Sequence, residues 1–328
     1  MTSSSLDIVA IGDAIVDVIA TCDDAFLLER GFAKGSMRLL DPAQARDLYE
    51  AMAPAREISG GSAANSMAGA AALGLATAFI GQVADDQFGS VFVHDMRALG
   101  VRFETPALPA PPPTGQCLIL VTPDAQRTMS TCPGASHELT PEMLDHDLIR
   151  SASVTFLEGY LWGPERPRAA MVEAARIARS AGRTIAFTLS ESLAIGDRRE
   201  GVMRMIDAGL VDILFGNEHE IMHLTRSGEL DDALSAIGGK VATLVATRGA
   251  AGALALHEGQ RIEIAAAPAT QVVDTTGAGD LFAAGFLAAR CRGRDTIGCL
   301  EAGAVAAAEI ISHFGARPEA DLKAVVGL

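Results

Sequence analysis

The sequence predicts an α/β fold in which a mainly parallel sheet is covered by helices on both faces. Short apolar runs typical of buried strands recur along the chain, and amphipathic stretches with a helical period separate many of them. Several of these stretches stop at a glycine, as helices commonly do. Strands that alternate with helices build parallel sheets, and such sheets bind ligands at the carboxyl ends of their strands. The strand-like runs are residues 8–12, 76–80, 154–157, 184–188, 211–215 and 241–247, and the helical patterns include 63–73, 88–99, 166–181 and 230–237.

Two stretches interrupt this alternation with short strand-like segments that no long helix separates. They are residues 15–20 with 36–40, and residues 101–104 with 116–121 and 127–131. We expect them to pair into a small β-sheet lid, formed from about residues 14–57 and 101–131, with an edge extension of the main sheet as the alternative. The 328 residues should then form one large α/β domain that carries this lid.

Composition argues against several classes of partner. The net charge of −15 is unsuited to nucleic acid or an anionic membrane, because both require a basic face. Lysine occurs only at positions 34, 240 and 323, so phosphate contacts should come from backbone amides, arginine and a metal ion. The five cysteines contain no C-x-x-C pair, so neither a disulfide framework nor a zinc site is indicated.

We expect neither a secretory signal nor a membrane span. The first arginine is Arg30, so no basic region precedes an apolar stretch at the N-terminus. The uncharged segment 58–84 contains Asn65, Ser66 and Gln82 and four internal glycines, which suits a buried helix and a buried strand better than a transmembrane helix. Together with the cysteine pattern, these features predict a cytoplasmic protein.

A Gly-rich segment carries the main chemical signal. Residues 274–280, Asp-Thr-Thr-Gly-Ala-Gly-Asp, run directly into an uncharged helical pattern. Gly277, Ala278 and Gly279 are small enough for a phosphate to approach the first helical N–H groups, which have no intrahelical acceptor and bind anions. Asp280 would lie beside that anion, where a carboxylate can take a proton from an attacking hydroxyl. The alternative is an ordinary Gly-rich loop with an acid in the first helical turn.

Two further segments can bind a polyol. Gly60 and Gly61 open the helix that begins near residue 63 and would let a ligand touch the backbone, while Asn65 offers a donor and an acceptor to a hydroxyl. Asp13 and Asp17 follow the first strand, where their carboxylates can accept hydrogen bonds from vicinal hydroxyls. Solvated turn residues are the alternative interpretation of both acids.

The segment Asn-Glu-His-Glu at residues 217–220 has two interpretations. Glu220 follows a strand-like run and can hold a hydrated magnesium ion through its waters. The same stretch spells H-E-x-x-H from His219 to His223, the pattern of zinc proteases. Arg226 stands where the longer metzincin pattern needs glycine, and no third histidine follows. The H-E-x-x-H match nevertheless makes a zinc hydrolase the rival hypothesis.

Two common nucleotide-binding motifs are absent from the sequence. No G-x-G-x-x-G follows the first strand, which argues against a nicotinamide-dependent dehydrogenase. Gly239-Lys240 is followed by Val241 rather than serine or threonine, which excludes a Walker-type ATPase.

Taken in order, three motifs resemble those of the PfkB family of carbohydrate kinases, which includes ribokinase and adenosine kinase. The likeness spans nearly the whole chain. It implies a ribokinase-like three-layer α/β/α domain whose small β-sheet lid closes over the sugar. It also implies ATP-dependent phosphorylation of a primary hydroxyl, with ATP and Mg²⁺ as cofactors. The motifs are Gly60-Gly61 with Asn65, Asn217 with Glu220, and residues 274–280.

The resemblance also implies roles for residues at the matching motif positions. Asp280 would be the catalytic base, and Gly277, Ala278 and Gly279 would stabilise the charge of the transferred phosphoryl group. The resemblance implies substrate binding by Asp13, Asp17, Gly60, Gly61, Asn65 and Arg127. It implies phosphate or ATP binding by Asn217, Glu220, Arg248 and Thr275. It also implies magnesium binding through water by Glu220 and, as in some members, potassium binding by Asp274 and Thr276. For Arg127 and Arg248, an exposed solubilising arginine is the alternative.

Local sequence is more similar to the adenosine kinase branch than to ribokinase, notably in residues 10–17, 114–117 and 158–162. Two positions depart from that branch: Asp13 stands where it often has asparagine, and Leu161 where an aromatic ring often stacks on adenine. Tyr160 or Trp162 can substitute for that ring, or both pack in the core.

The leading hypothesis is therefore a kinase that converts adenosine to AMP. The alternatives are a kinase for a free sugar (ribose, fructose or 2-keto-3-deoxygluconate), the zinc hydrolase, and a catalytically silent nucleotide-binding regulator. We expect a small-molecule nucleoside or sugar as the partner, no nucleic acid or membrane partner, and a monomer or homodimer.

Overall fold

The computed structural model describes residues 6–190 and 198–328. Residues 1–5, on which the expectation of no signal peptide partly rests, lie outside the described residues. The described chain combines α-helices with a large, mainly parallel sheet and a smaller second sheet. This confirms the predicted fold class.

In the described residues, nine strands form the large sheet. Neighbouring strands pair in parallel, except that β13 runs antiparallel to β12 and to β14. Each strand-like run assigned to this sheet from periodicity is confirmed to within two residues at either end. The spatial order is β14 (Gln260–Ile264), β13 (Ala253–His257), β12 (Thr243–Thr247), β11 (Ile213–Asn217), β10 (Thr184–Thr188), β9 (Val154–Glu158), β1 (Ile8–Ile11), β5 (Thr77–Ile80) and β6 (Val101–Phe103).

The strands that form the small sheet differ in part from those expected. Strand β6, predicted to lie in it, is instead an edge strand of the large sheet, where Val101 lies opposite Thr77. The reason is packing, since the buried ring of Phe103 lies 5.3 Å from that of Phe92 in the core. The small sheet runs β3 (Met37–Leu39), β8 (Arg127–Cys132), β7 (Gly115–Val121), β2 (Ile15–Thr21) and β4 (Arg56–Gly60).

Helices cover both faces of the large sheet. Ile8 and Ala10 pack into one buried cluster, whereas Val9 and Ile11, on the opposite face of β1, pack into another. Helix α2 lies in a stretch where no long helix was expected. The helices are α1 (Asp24–Glu29), α2 (Pro42–Ala51), α3 (Ser62–Ala72), α4 (Gln87–Ala98), α5 (His146–Ser151), α6 (Glu165–Ser180), α7 (Arg198–Asp207), α8 (Glu218–Thr225), α9 (Leu230–Ile237), α10 (Ala278–Cys291), α11 (Thr296–Ile310) and α12 (Leu322–Val326).

Close packing of α3 against α10 positions the candidate site. Gly69 of α3 faces Leu281 of α10 so closely that a Cβ on the glycine would lie 2.5 Å from the leucine Cδ1. Small residues allow this approach, which brings the two helix N-termini together. The uncharged segment 58–84 forms the end of β4, α3 and β5, as expected. Within the described ranges, none of the helices has the length and apolar character that a bilayer crossing requires.

Candidate active site

Asp280 lies in the first turn of α10, and two side chains of α3 hold its carboxylate. Ser62 Oγ donates to one carboxylate oxygen at 2.6 Å, and Asn65 Nδ2 donates to the other at 2.8 Å. Burial raises the pKa of Asp280, although these two hydrogen bonds and the charge of Arg317 counteract part of the rise. A carboxylate that is oriented in this way, with a pKa above its ordinary value, is suited to proton abstraction.

The start of α10 is open to an anion. Gly277 is the N-cap residue with φ +79° and, as a glycine, offers no capping side chain. Gly279 is exposed, and a Cβ added to it would meet no atom of the described residues within 4 Å. The amide of Ala278 donates to the carbonyl of Thr275 at 3.2 Å, so the later amides of this turn are the better anion donors. A Cβ on Gly277 would lie 2.8 Å from that of Ala316, so only glycine fits beside this loop.

The paired glycines bring the two N-terminal acids to the start of α3. A Cβ on Gly60 would lie 2.5 Å from the carboxyl group of Asp17. Gly61 has φ +94°, and a Cβ there would lie 2.3 Å from the carbonyl oxygen of Asp13. The glycines therefore allow the close approach of Asp13, Asp17 and the turn that precedes α3.

Asp13 and Asp17 are held in a desolvated environment. Burial raises the pKa of Asp13 to about 7. Burial also raises the pKa of Asp17 to about 6, against the opposing charges of Arg317 and Arg127. Oδ1 of Asp13 is buried without a hydrogen-bond partner in the described part of the chain. Such an oxygen can accept a hydrogen bond from a ligand hydroxyl.

Sequence reasoning gave no role to Glu158, which ends β9 beside β1. Its Oε2 accepts hydrogen bonds from the amide of Ala63 at 2.9 Å and from that of Asp13 at 3.3 Å. Burial and the neighbouring Asp13 carboxyl raise the pKa of Glu158 well above its ordinary value. The available signal was its position at the carboxyl end of a central strand.

Arg317, in the loop after α11, was also missed. Its guanidinium donates to Asn65 Oδ1, to the carbonyl oxygen of Ser59 at 2.7 Å and to Ser59 Oγ at 3.1 Å. Burial lowers the pKa of Arg317, whereas the charges of nearby carboxylates, Asp17 and Asp280 among them, raise it. A single arginine in a loop carries no motif, so the sequence gave no signal for this residue.

Arg127 of β8 binds the residues that the family resemblance links to potassium. Its Nη1 donates to Asp274 Oδ2 at 2.5 Å and to Thr276 Oγ1 at 2.7 Å. Asp274 Oδ2 also accepts from the amide of Gly315 at 3.0 Å, and its Oδ1 accepts from the amide and the hydroxyl of Thr276. Arg127 is therefore not the exposed solubilising arginine of the alternative, because its side chain is only 12% exposed.

The predicted phosphate and magnesium residues lie at the carboxyl ends of β11 and β12. Asn217 caps α8 and forms a reciprocal capping box with Glu220, both hydrogen bonds being 2.8 Å. Asn217 lies opposite Thr247, so Arg248 begins the loop beside it. Arg248 Nη1 donates to Glu263 at 3.1 Å. Thr275 is exposed beside the start of α10.

The geometry gives the zinc hypothesis no support. His219 and His223 are both exposed, and the carboxylate of Glu220 caps its own helix. Across residues 6–190 and 198–328, no group of three or more His, Cys, Asp or Glu side chains could hold a metal ion. Within the described residues, the H-E-x-x-H pattern on α8 therefore lacks the third ligand of a zinc site.

Of the two aromatic residues considered for base stacking, Trp162 is unavailable. It is 1% exposed and packs edge to face against Phe187, with the ring centroids 5.7 Å apart. Leu161 is also buried, whereas Tyr160 is 37% exposed. Tyr160 is thus the aromatic residue of this segment that a ligand can reach.

Comparison with known proteins identifies the family. Residues 6–322 match the family model described as pfkB family carbohydrate kinase. This chain belongs to that family. It is similar to the adenosine kinase from Sinorhizobium meliloti (43% identity, TM-score 0.90) and to a probable sugar kinase from Rhizobium etli CFN 42 (41% identity, TM-score 0.91), each covering 98% of both chains. It is also 28% identical to a ribokinase from Arabidopsis thaliana, over 83% of this chain and 72% of the relative.

Family membership establishes the reaction class. The protein is an ATP-dependent phosphotransferase that acts on a sugar or a nucleoside, and membership implies the use of ATP and Mg²⁺. The resemblance to bacterial adenosine kinases is likewise confirmed. The names of the relatives include adenosine kinase, ribokinase and fructokinase, so likeness alone leaves the acceptor open.

Proposed function

We propose that this PfkB kinase phosphorylates the primary hydroxyl of a neutral nucleoside, with adenosine as the leading acceptor and AMP as the product. The observation that carries the proposal is the Asp280 carboxylate, which Ser62 and Asn65 hold beside the uncapped start of α10. A base and an anion-binding helix start are the two groups that phosphoryl transfer needs next to each other.

In this mechanism the acceptor oxygen attacks the γ-phosphorus of ATP. A new O–P bond forms, the bond from the γ-phosphorus to the bridging oxygen breaks, and ADP leaves with that electron pair. Asp280 takes the proton of the acceptor hydroxyl. The open amides at the start of α10, around Gly279, stabilise the charge on the transferred group.

Magnesium fits the residues at the end of β11. Glu220 presents a carboxylate there, held in place by the capping box with Asn217, and Mg²⁺ favours one or two carboxylates together with retained waters. When bound, the ion would neutralise charge on the phosphate oxygens. Glu220 would hold it through water, while Arg248 on the adjoining loop would contact a phosphate.

Potassium does not fit Asp274 and Thr276 as they stand. Both carboxylate oxygens of Asp274 already accept hydrogen bonds, from Arg127, Thr276 and Gly315. A cation needs oxygen ligands, and the guanidinium already supplies positive charge at this carboxylate. We expect Arg127 to take the place of a monovalent cation beside the anion-binding loop.

The charges around the acceptor site favour a neutral substrate. Four carboxyl groups come together there, from Asp13, Asp17, Glu158 and Asp280. They are close enough that Asp280 raises the pKa of Asp17, and that Asp13 and Asp280 raise the pKa of Glu158. The guanidinium of Arg317 is engaged with Asn65 and Ser59. Those carboxyls that are ionised would repel a sugar acid or a sugar phosphate, which argues against 2-keto-3-deoxygluconate as the acceptor.

Two observations favour a nucleoside over a free sugar. The chain is 43% identical to a bacterial adenosine kinase along almost its whole length. Tyr160, two residues after Glu158, is accessible and can pack against a base.

An ADP-release assay against adenosine, ribose, fructose and 2-keto-3-deoxygluconate tests the proposal. We expect the highest kcat/KM with adenosine, and AMP as the product. An Asp280→Asn preparation purified in parallel corrects for contaminating kinases. Turnover of a free sugar far above that of adenosine would refute the nucleoside assignment and leave the kinase assignment intact.

A further inference from the structure

Arg317 binds both flanks of the Gly60–Gly61 turn. On one side its Nη2 donates to the carbonyl oxygen of Ser59 at 2.7 Å, near the end of β4. On the other side its Nη1 donates to Asn65 Oδ1 in the first turns of α3. The amide of Ser59 is in turn anchored to Asp95 Oδ2 at 2.9 Å. One guanidinium thus fixes the strand and the helix that the glycines join.

This contact determines which way the Asn65 amide faces. A guanidinium only donates hydrogen bonds, so the atom of Asn65 that meets Arg317 must be the oxygen. The amide nitrogen must then face Asp280, to which it donates at 2.8 Å. The flipped amide would set donor against donor at Arg317 and oxygen against oxygen at Asp280. The orientation of the catalytic carboxylate therefore depends on Arg317.

The same guanidinium supplies positive charge to an acidic site. The carboxylates that face it come from three elements: Asp17 on β2, Asp95 on α4 and Asp280 on α10. Asp280 itself faces Arg317 and also the carboxyls of Asp17 and Glu158. Arginine keeps its charge when buried, so Arg317 offsets the repulsion among these carboxyls at all working pH values.

We propose that Arg317 is a positioning residue for phosphoryl transfer, which sets the Asn65 amide and the Gly60–Gly61 turn so that Asp280 faces the acceptor hydroxyl. The inference rests on the proposed function, in which Asp280 is the base. Asn65 was expected to bind the substrate, and this proposal gives it a different primary role. Its amide nitrogen donates to the base, Asp280, and its amide oxygen accepts from Arg317.

Arg317→Gln and Arg317→Lys test this role, with Arg292→Gln as the matched control. Arg292 donates to the carbonyl of Leu73 at 2.7 Å and lies just past the far end of α10, roughly 18 Å along the helix from Asp280. We expect Arg317→Gln to lower kcat/KM for the acceptor roughly tenfold to a hundredfold, because small displacements of reacting groups cost this much. The KM for ATP and the activity of Arg292→Gln should stay near the wild-type values.

The pH profile separates positioning from a merely structural role. The charge of Arg317 lowers the pKa of Asp280, so in Arg317→Gln the acidic limb of kcat/KM should move to higher pH. Arg317→Lys keeps the charge without the forked contact. It should restore the position of the limb but not the full kcat.

An unshifted acidic limb together with a wild-type kcat/KM for the acceptor in folded Arg317→Gln would overturn the proposal. Should that variant fail to fold, as judged by its melting temperature, Arg317→Lys decides: wild-type kcat and KM there would refute the need for the forked contact. A near-normal kcat of Asp280→Asn would instead refute Asp280 as the base, the part of the proposed function on which this inference rests. The two failures can therefore be told apart.

Discussion

Asn65 Nδ2 lies 2.8 Å from a carboxylate oxygen of Asp280, although 215 positions of sequence separate the two residues. The contact joins the first turns of α3 and α10, which small residues such as Gly69 allow to pack closely. It brings the glycine turn before α3 and the first turn of α10 together in one candidate site. Each motif alone is modestly specific, whereas their contact supports a single reaction centre.

The exchange Asp280→Asn should abolish proton abstraction at this position. The oxygen of the new amide can still accept the hydrogen bond from Ser62. We expect kcat to fall by at least roughly a hundredfold, the low end of typical general-base contributions. Steady-state ADP release measures kcat, and calorimetry with ATP should show retained nucleotide binding. A near-normal kcat would show that another residue is the base.

Ser62→Ala removes a hydrogen bond that lowers the pKa of Asp280. The pKa of the base should therefore rise, and the acidic limb of the kcat/KM profile should move to higher pH. Ser66→Ala is the matched control, because the Ser66 hydroxyl donates to the backbone oxygens of Ser62 and Asp280 and not to the Asp280 carboxylate. Equal profiles for the two variants would argue against Asp280 as the titrating group.

Six strands of the large sheet, β1, β5 and β9 to β12, could be predicted because each is an apolar run bounded by turns. Strands β13 and β14 were not predicted, and β14 carries the polar residues Gln260, Arg261 and Glu263. The short segment at residues 101–103 was assigned to the wrong sheet, since a three-residue alternating strand has the same pattern in either one. Its place is decided by the packing of Phe103 against Phe79 and Phe92. Strand β4 was missed because it begins with the exposed, charged Arg56 and ends in glycine.

Sequence reasoning singled out candidate site residues where motifs exist and not elsewhere. Asp280 and the glycine turns belong to recurring patterns, which made them candidates, and their roles follow from the family resemblance. Glu158 and Arg317 are isolated residues whose positions depend on tertiary packing. Arg317 reaches the site because the neighbouring Ala316 packs against Gly277, a contact that no local pattern encodes.

Glu220→Gln should weaken the use of magnesium without unfolding α8. Glutamine at this position preserves the capping box with Asn217, so only the carboxylate charge is lost. We expect the Mg²⁺ concentration for half-maximal activity to rise roughly tenfold, with a lower kcat. Titrations of ADP release against Mg²⁺ measure both values.

Two control exchanges accompany that experiment. Asp232→Asn removes an exposed carboxylate from α9 and should leave the Mg²⁺ titration unchanged. His223→Ala should leave activity intact, because α8 provides no zinc site within the described residues. An unaltered Mg²⁺ requirement in Glu220→Gln would remove this residue from the metal network.

Activity should not depend on potassium. Burial raises the pKa of Asp274, but the hydrogen bonds from Gly315 and Thr276 and the charge of Arg127 lower it by more. The pKa of Asp274 therefore lies below its ordinary value, and Arg127 pairs with an ionised carboxylate. Replacing potassium with N-methylglucamine at constant ionic strength should leave kcat unchanged. In Arg127→Ala, kcat and the melting temperature should become responsive to potassium. Strong potassium activation of the wild-type enzyme would contradict this assignment.

The buried Asp13 should make stability depend on pH. Burial raises its pKa from the ordinary value of 3.8 to about 7, so between these values the folded protein binds more protons than the unfolded chain. The free energy of unfolding should then fall as pH rises across this window and level off above it. Glu158, the carboxyl group beside Asp13, has a raised pKa and acts in the same direction.

Asp13→Asn removes the ionisable group while keeping its shape. Its melting temperature should exceed that of the wild type at pH 8, where Asp13 is charged and its Oδ1 is buried without a hydrogen-bond partner among the described residues. The difference should shrink toward pH 5, because protonation then neutralises the wild-type carboxyl. Asp147→Asn, at an exposed carboxyl, is the matched control and should show no such trend. A melting-temperature difference between Asp13→Asn and the wild type that stays constant from pH 5 to pH 8 would mean that Asp13 does not titrate in this window.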